Sequence, residues 1–289
     1  MNPLAHRPFL KMNGIGNEIV VLDLRGTGLA VRPQDARAIA RGEGLAYDQL
    51  MVLGDPHQTG ADAFMTIFNN DGSESASCGN GTRCVAWALT RDTDRDRLRL
   101  ETSAGPLDIS RNGERNFTVD MGPPRLGWRD IPLRDPVDDT RAVAVPDAPS
   151  AIQALGPFSA ASMGNPHAIF WVKDVAGVDV AGLGPQLEHH PLFPARANIS
   201  FAEIVSRDHI RLRVWERGAG ITQACGSAAC ATLVCAARNG FTGRSATVSL
   251  PGGDLVITWR DDDHVLMTGD VELEFEGQFD PALFTEATV

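Results

Sequence analysis

Lysine is nearly missing from this chain of 289 residues, with only Lys11 and Lys173 among its 26 basic side chains. An enzyme that forms a Schiff base would have just these two candidates, each beside a predicted strand, which argues against pyridoxal-phosphate chemistry. Positive charge is scarce overall: 26 Lys and Arg stand against 37 Asp and Glu, a net of −11. The basic residues are scattered along the chain, so a phosphate-backbone partner is not expected and nucleic acid is set aside. No run approaches the roughly 18 apolar residues that cross a bilayer. The opening residues also lack the apolar core and small-residue cleavage site of a secretion signal. A soluble, cytoplasmic protein without a membrane partner is the expectation. Cysteine is sparse too, at five residues. In a chain without a secretion signal they read as thiols, not as a disulfide framework. Their spacings, Cys-x5-Cys and Cys-x4-Cys-x4-Cys, match no common zinc pattern, and no metal is expected.

What is present is an internal echo. Ala76-Ser77-Cys78-Gly79-Asn80-Gly81-Thr82-Arg83-Cys84 is answered by Ala224-Cys225-Gly226-Ser227-Ala228-Ala229-Cys230, with Cys78 and Cys225 lying 147 positions apart. Gly16-Asn17-Glu18 is answered by Gly164-Asn165-Pro166 at an offset of 148, and Ser103-Ala104-Gly105-Pro106-Leu107 by the stretch around Gly252-Gly253-Asp254-Leu255 at 147 to 148. Pairs in the same order at nearly one offset indicate two halves of similar build, in keeping with the prior of about 100–200 residues per domain. Each half is long enough to bury its own core.

Runs of branched and aromatic residues predict strands at Ile19–Leu24, Phe64–Phe68, Leu98–Thr102, Phe117–Met121, Ala168–Val172, Ile210–Glu216, Leu255–Trp259 and Val271–Phe275. Two helices stand out, one after Cys78 to about Leu89 and one after Cys225 to about Ala237. Both are apolar on nearly every face past the first turn, and such a helix must be buried on all sides. The simplest architecture is a strongly curved sheet wrapped around one central helix, made twice. Gly122-Pro123-Pro124 and the proline-rich stretch Pro132–Pro149 are expected at the joint, dividing the chain into 1–125 and 126–289.

A cysteine at a helix N-terminus meets unpaired N–H groups and the positive end of the helix dipole, which favour thiolate and can also hold a carboxylate. The glycine after each cysteine lets backbone approach a ligand. An α-amino acid held by such helix mouths would have its developing negative charge stabilised as the α-proton leaves. Inversion needs a base on one face and an acid on the other, and one thiolate with one thiol meets that demand in both directions. Taken singly, Cys84, Cys230 and Cys235 read as small core hydrophobes. His167 alone reads as a surface or satisfied histidine, and Asn17, Asn69, Asn165 and Asn198 as turn residues.

Together, Phe9-Leu10-Lys11-Met12-Asn13-Gly14-Ile15-Gly16-Asn17, Phe68-Asn69-Asn70-Asp71-Gly72-Ser73-Glu74, Cys78-Gly79-Asn80-Gly81-Thr82-Arg83-Cys84, Met163-Gly164-Asn165-Pro166-His167, Glu216-Arg217-Gly218-Ala219-Gly220 and Ala224-Cys225-Gly226-Ser227 resemble the diaminopimelate epimerase family over nearly the whole chain. The resemblance implies an isomerase that interconverts L,L- and meso-diaminopimelate without a cofactor, feeding lysine and cell-wall synthesis. It implies an α/β (α+β) fold of two pseudo-symmetric domains, each a curved, mostly antiparallel sheet around a central helix. The C-terminal strand, about 274–289, would return to the first half. By position, Cys225 resembles the proton acceptor and Cys78 the proton donor in the L,L-to-meso direction, and His167 and Glu216 match residues that tune them. Asn17, Gln49, Asn69, Gly79, Asn80, Asn165, Asn198, Glu216, Arg217, Gly226 and Ser227 fall where that family binds substrate. The assembly is left open, with a homodimer as one form. Departures stand at Asn13, Glu18-Ile19, Ile221 and Ala228, none of them a thiol or a matched binding position. Rival readings are a proline or hydroxyproline racemase, which would have no use for groups holding a second ammonium and carboxylate, and a thiol redox or zinc-binding protein. A partner-binding protein of similar fold that has lost its chemistry is a further rival, set back by the presence of both thiols.

Overall fold

The structure, a computed structural model, describes residues 2–76 and 78–285. The chain forms two compact units: Met1–Val119 with Gly269–Val289, and Asp120–Thr268. In chain order the first stretch carries β1 (Pro8–Asn13), β2 (Glu18–Asp23), α1 (Pro33–Ala40), β3 (Gln49–Gly54), β4 (Ala63–Asn69), β5 (Glu74–Ser75), α2 (Gly79–Thr90), β6 (Arg97–Thr102), β7 (Gly105–Arg111) and β8 (Asn116–Asp120). There follow α3 (Ser150–Gln153), β9 (Phe158–Ser162), β10 (Pro166–Trp171), α4 (Val180–Glu188), β11 (Asn198–Ser206), β12 (His209–Glu216), β13 (Gly220–Thr222), α5 (Gly226–Arg238), β14 (Ser245–Leu250), β15 (Gly253–Trp259) and β16 (Val265–Asp270). The last strand, β17 (Glu272–Gln278), belongs to the first unit.

The two units repeat one pairing scheme. In the first, β1 and β2 are antiparallel, β2 and β3 parallel, β3 and β4 antiparallel, β4 and β6 parallel, and β6, β7 and β8 antiparallel in sequence, with short β5 beside the end of β4. In the second, β9 and β10 are antiparallel, β10 and β11 parallel, β11 and β12 antiparallel, β12 and β14 parallel, and β14, β15 and β16 antiparallel in sequence, with short β13 beside the end of β12. The echo seen in the sequence is thus a repeat of topology, and among the described residues β17 is a strand outside it, added antiparallel to β1.

Each sheet holds a helix that offers no polar face. In α5 every residue from Ala228 to Ala236 is buried, and α5 packs against β9, β10, β11, β12, β14 and β15. The corresponding α2 packs against β1, β2, β3 and β7. Small residues let these helices sit close to the strands: a Cβ added at Gly81 would lie 2.5 Å from Met51 Sδ. The other face of each sheet is covered as well. Val20, Leu22, Leu50 and Val52 join Ala36 and Ile39 of α1 in one core. In the second unit Ala168, Phe170, Ile199 and Phe201 join Val180 and Leu187 of α4. Since successive side chains alternate faces, His167, Ile169, Asn198 and Ser200 are left on the α5 side. Strands covered on both faces are continuous apolar runs, not alternating ones, and Leu50-Met51-Val52-Leu53 is such a run, missed by a search for alternation. Helix α4 was not foreseen either, because Gly182, Gly184 and Pro185 lie inside it. The proline-rich stretch Pro132–Pro149 lies within the second unit, where Leu133, Val143 and Ala148 are buried in the core.

Strand β17 is fixed by more than its ladder. Phe279, which follows it, is 1% exposed and stacks on Phe9 of β1 at a ring separation of 4.7 Å. Phe279→Ala is expected to destabilise the first unit by about 3–5 kcal/mol through lost burial and the cavity left behind. Urea unfolding checks this: a midpoint matching that of the unsubstituted protein would show that the returned strand is not anchored through this ring.

Candidate active site

In the first unit the sulfur of Cys78 sits at the mouth of α2. Cys78 is the N-cap, with extended backbone (φ −150°, ψ 97°), and its Sγ accepts from the N–H of Gly81 at 3.3 Å. On its other side the sulfur faces Gln49 Oε1 at 3.4 Å and Asn17 Oδ1 at 3.7 Å. Asn17 is oriented by Asp48, whose carboxylate accepts from Asn17 Nδ2 at 2.7 Å and from the N–H of Glu18 at 2.9 Å. With its Nδ2 occupied, the Asn17 amide presents oxygen to the sulfur. A thiol can donate its one proton to one of these oxygens while it accepts from Gly81, whereas a thiolate would oppose both amide oxygens. Asn69 pairs with Gln49 across β3 and β4, and its side chain donates to Ser73 Oγ at 3.0 Å. Asn80, in the first turn of α2, is 3% exposed, and its Oδ1 has no hydrogen-bond partner. Gly79 precedes it and adds no side chain at the helix mouth.

In the second unit the equivalent N-cap is Cys225, extended at φ −135° and ψ 101° and 6% exposed. Its sulfur begins a chain of polar contacts: Ser227 Oγ lies at 3.7 Å, Asn165 Nδ2 donates to that hydroxyl at 3.2 Å, and Asn165 Oδ1 meets His167 Nε2 at 2.8 Å. Because Asn165 uses its NH₂ on Ser227, its oxygen must accept, so His167 carries its proton on Nε2 and leaves Nδ1 bare. That Nδ1 is buried without a partner. Burial, and then the positive charge of Arg217, push the His167 imidazole down to about 3. Burial and then the negative charge of Glu216 push the Cys225 thiol well above its ordinary value, against a weaker opposing effect from the N–H of Ala228. Glu216 accepts from Thr222 Oγ1 at 2.9 Å. Asn198 is engaged at both ends of its amide, donating to the carbonyl of Pro166 at 3.0 Å and accepting from the N–H of Arg217 at 2.9 Å. The Arg217 guanidinium donates to the carbonyl of Ala195 at 3.1 Å. Gly226 opens α5 directly after the thiol.

Corresponding positions of the repeat supply these residues. Ile19 pairs with Gln49 as His167 pairs with Asn198. Gln49 pairs with Asn69, while Asn198 and Glu216 lie one step beyond the pair Ile199 and Trp215. In the first unit Asn17 and Gln49 meet the Cys78 sulfur, Asn69 pairs with Gln49, and Gly79 and Asn80 follow on α2; in the second Ser227 and Glu216 lie beside the Cys225 sulfur, Asn165 and His167 stand behind Ser227, Asn198 holds the N–H of Arg217, and Gly226 opens α5. Three residues outside the motifs complete these groups: Asp48, Thr222 and Glu188, the last accepting from the N–H of Gly218 at 3.0 Å. Of these only Asp48 carried a signal, as the acidic neighbour of Gln49. Cys84 and Cys235 are fully buried, their thiols pushed up to about 12 by burial. Among the described residues no group of three or more His, Cys, Asp or Glu side chains is placed to hold a metal ion.

The model of the family described as diaminopimelate epimerase matches residues 9–127 and 159–274. A diaminopimelate epimerase of Methylobacterium sp. (strain 4-46) is 59% identical over 292 residues, covering 99% of this chain and 100% of that protein. One from Methylocella silvestris is also 59% identical, covering 99% of each. Among solved structures, a probable proline racemase from Agrobacterium radiobacter matches with a TM-score of 0.69 at 16% identity, over 97% of this chain and 94% of that one. That last likeness is one of fold. Matched end to end by relatives of this kind and in both units by the family model, the chain belongs to the diaminopimelate epimerase family.

Proposed function

We propose that this protein interconverts L,L- and meso-diaminopimelate in the cytoplasm, with Cys225 and Cys78 as base and acid on opposite faces of the α-carbon. The observation that carries this reading is the repeated N-cap cysteine, one per unit, each set in a different polar surround. In the L,L-to-meso direction the α-C–H bond breaks, its proton passes to the sulfur of Cys225, and its electron pair moves toward the substrate carboxylate. The Cys78 thiol then gives its proton to the other face of the carbon. The N–H groups at the helix mouths stabilise the charge on the carboxylate as it grows.

The two surrounds suit these roles. Asn17 and Gln49 hold Cys78 as a thiol, the form an acid needs. Cys225 lies beside Glu216, and burial together with that negative charge keeps a proton on the pair. The α-ammonium of an incoming substrate adds positive charge there and favours thiolate, with Glu216 as the neighbour that takes the proton. Neutral His167, with Nδ1 bare, orients Asn165 and Ser227 beside the same sulfur. Arg217, exposed in this structure, is the cation for the distal carboxylate, a demand that a proline racemase would not make.

Incubation with L,L-diaminopimelate in deuterated water, followed by optical rotation and mass spectrometry, tests the reaction. The expected result is approach to equilibrium with one deuterium gained at the inverted carbon. Cys78→Ala or Cys225→Ala should abolish turnover, since each removes the acid or base from one face. Cys84→Ala and Cys235→Ala should retain it. Near-normal turnover in Cys78→Ala would refute the two-thiol mechanism.

Arg217→Ala should lower kcat/KM by about 2–5 kcal/mol in transition-state stabilisation, the range for removing one partner of a desolvated charge pair. An unchanged kcat/KM would show that the distal carboxylate binds elsewhere.

The state of His167 sets a dependence of stability on pH. Folded, it stays neutral down to about 3. Unfolded, it takes a proton below about 6.5. Unfolding therefore binds a proton between those values, so stability is full above about 6.5 and falls as the pH drops through that window. Urea unfolding at about pH 7.5 and about pH 5 should show a larger loss for the unsubstituted protein than for His167→Gln. Equal losses would mean that His167 is charged when folded.

A further inference from the structure

Glu188 is a buried carboxylate far from any motif, 2% exposed, at the last position of α4. Both of its oxygens are in use. Oε2 accepts from the indole N–H of Trp215 at 2.7 Å, and Oε1 accepts from the N–H of Gly218 at 3.0 Å and from Arg196 Nη1 at 3.4 Å. Trp215 and Gly218 flank Glu216-Arg217 on either side. One turn earlier on the same helix stands Gly184, where an added Cβ would lie 2.5 Å from Trp215 Cγ, so the indole rests against bare backbone. Positions four apart share a helix face. Gly184 thus seats the tryptophan and Glu188 takes its N–H.

We propose that Glu188 is a positioning residue for substrate recognition, holding the turn that presents Arg217. The turn runs through two glycines in the left-handed region, Gly218 at φ +78° and Gly220 at φ +84°. The turn closes the β12–β13 hairpin and has one backbone bond of its own, from the N–H of Ala219 to the carbonyl of Glu216 at 3.1 Å, so the N–H groups of Arg217 and Gly218 point to partners outside it. Glu216 has a separate tether in Thr222, and the N–H of Arg217 is taken by Asn198. Gly218 depends on Glu188. A carboxylate suits the place because it only accepts, and all three of its partners only donate here. A glutamine would turn an NH₂ group against one of them. A buried carboxylate is also a weak device for stability, since desolvation offsets much of what its partners return. Its use at this point is better explained by what it holds in place.

This inference rests on the reading of Arg217 given above, and the test separates the two. Turnover of diaminopimelate by the unsubstituted protein examines the function, and Glu188→Gln examines the positioning. The variant should raise KM by about tenfold or more while kcat stays within about threefold, because the loosened group binds substrate and Glu216 keeps its tether. Hydrogen exchange by mass spectrometry should be faster over residues 215–222 and unchanged elsewhere. If Glu188→Gln does not fold, Trp215→Phe removes the N–H donor together with part of the ring that rests on Gly184, and should raise KM in the same sense. A KM within twofold of the unsubstituted value, or a fall in kcat as large as the rise in KM, would overturn the proposal. Should the unsubstituted protein not act on diaminopimelate, the functional reading fails and exchange alone decides: faster exchange at 215–222 upholds the positioning of the turn, and unchanged exchange rejects it.

Discussion

Each unit is organised around burying a helix that turns no polar side to solvent. Such a helix cannot lie on a surface, so the sheet must curve around it, and the strands that touch it must present small or flexible side chains. Its interior N–H and C=O groups satisfy one another, but its first turn cannot. The N-terminus is therefore where the buried element keeps unmet donors, as its last turn keeps unmet acceptors. It is also where the chain places a cysteine, followed by glycine.

The repeated scaffold carries two different electrostatic solutions. Around Cys78 the neighbours are amides, Asn17 and Gln49, with Asp48 fixing one of them. Around Cys225 the counterparts of Asn17 and Gln49 are again amides, Asn165 and Asn198, but Ile19 is answered by His167 and Asn69 by Glu216, and the cysteine is buried where Cys78 is half-buried. One topology thus gives two different surrounds, amide oxygens facing one sulfur and a carboxylate beside the other. The departure at Ala228 falls in this surround, where its backbone N–H, with the Ser227 hydroxyl, favours the thiolate. That contribution needs no side chain, so alanine serves there as glycine would.

Much of this was legible in the sequence. The cysteines, the offset between them and the all-apolar helices pointed to a duplicated fold, and the strands with clear branched runs lie where those runs are. What escaped had physical reasons. Strand β3 is buried on both faces and shows no alternation. Helix α4 contains glycine and proline, and it is held by packing, not by propensity. The residues that orient the site, Asp48, Thr222 and Glu188, act through single side-chain contacts with partners that no spacing rule connects. Glu188 lies 30 residues before the Gly218 whose N–H it accepts. His167 alone gave no sign of being buried, because a lone histidine carries no period.

The return of β17 has a consequence for how the protein is made. The first unit is discontinuous: its chain leaves at Val119 and resumes only at Gly269, while the second unit is unbroken from Asp120 to Thr268. During synthesis from the N-terminus, the second unit is complete while the first still lacks the strand beside β1 and the ring that stacks on Phe9. Domains tend to fold as units as they emerge. The half that begins the chain is thus the last to close, and until it does β1 presents an open edge to the ribosome's surroundings, the kind of edge on which strands of other chains pair.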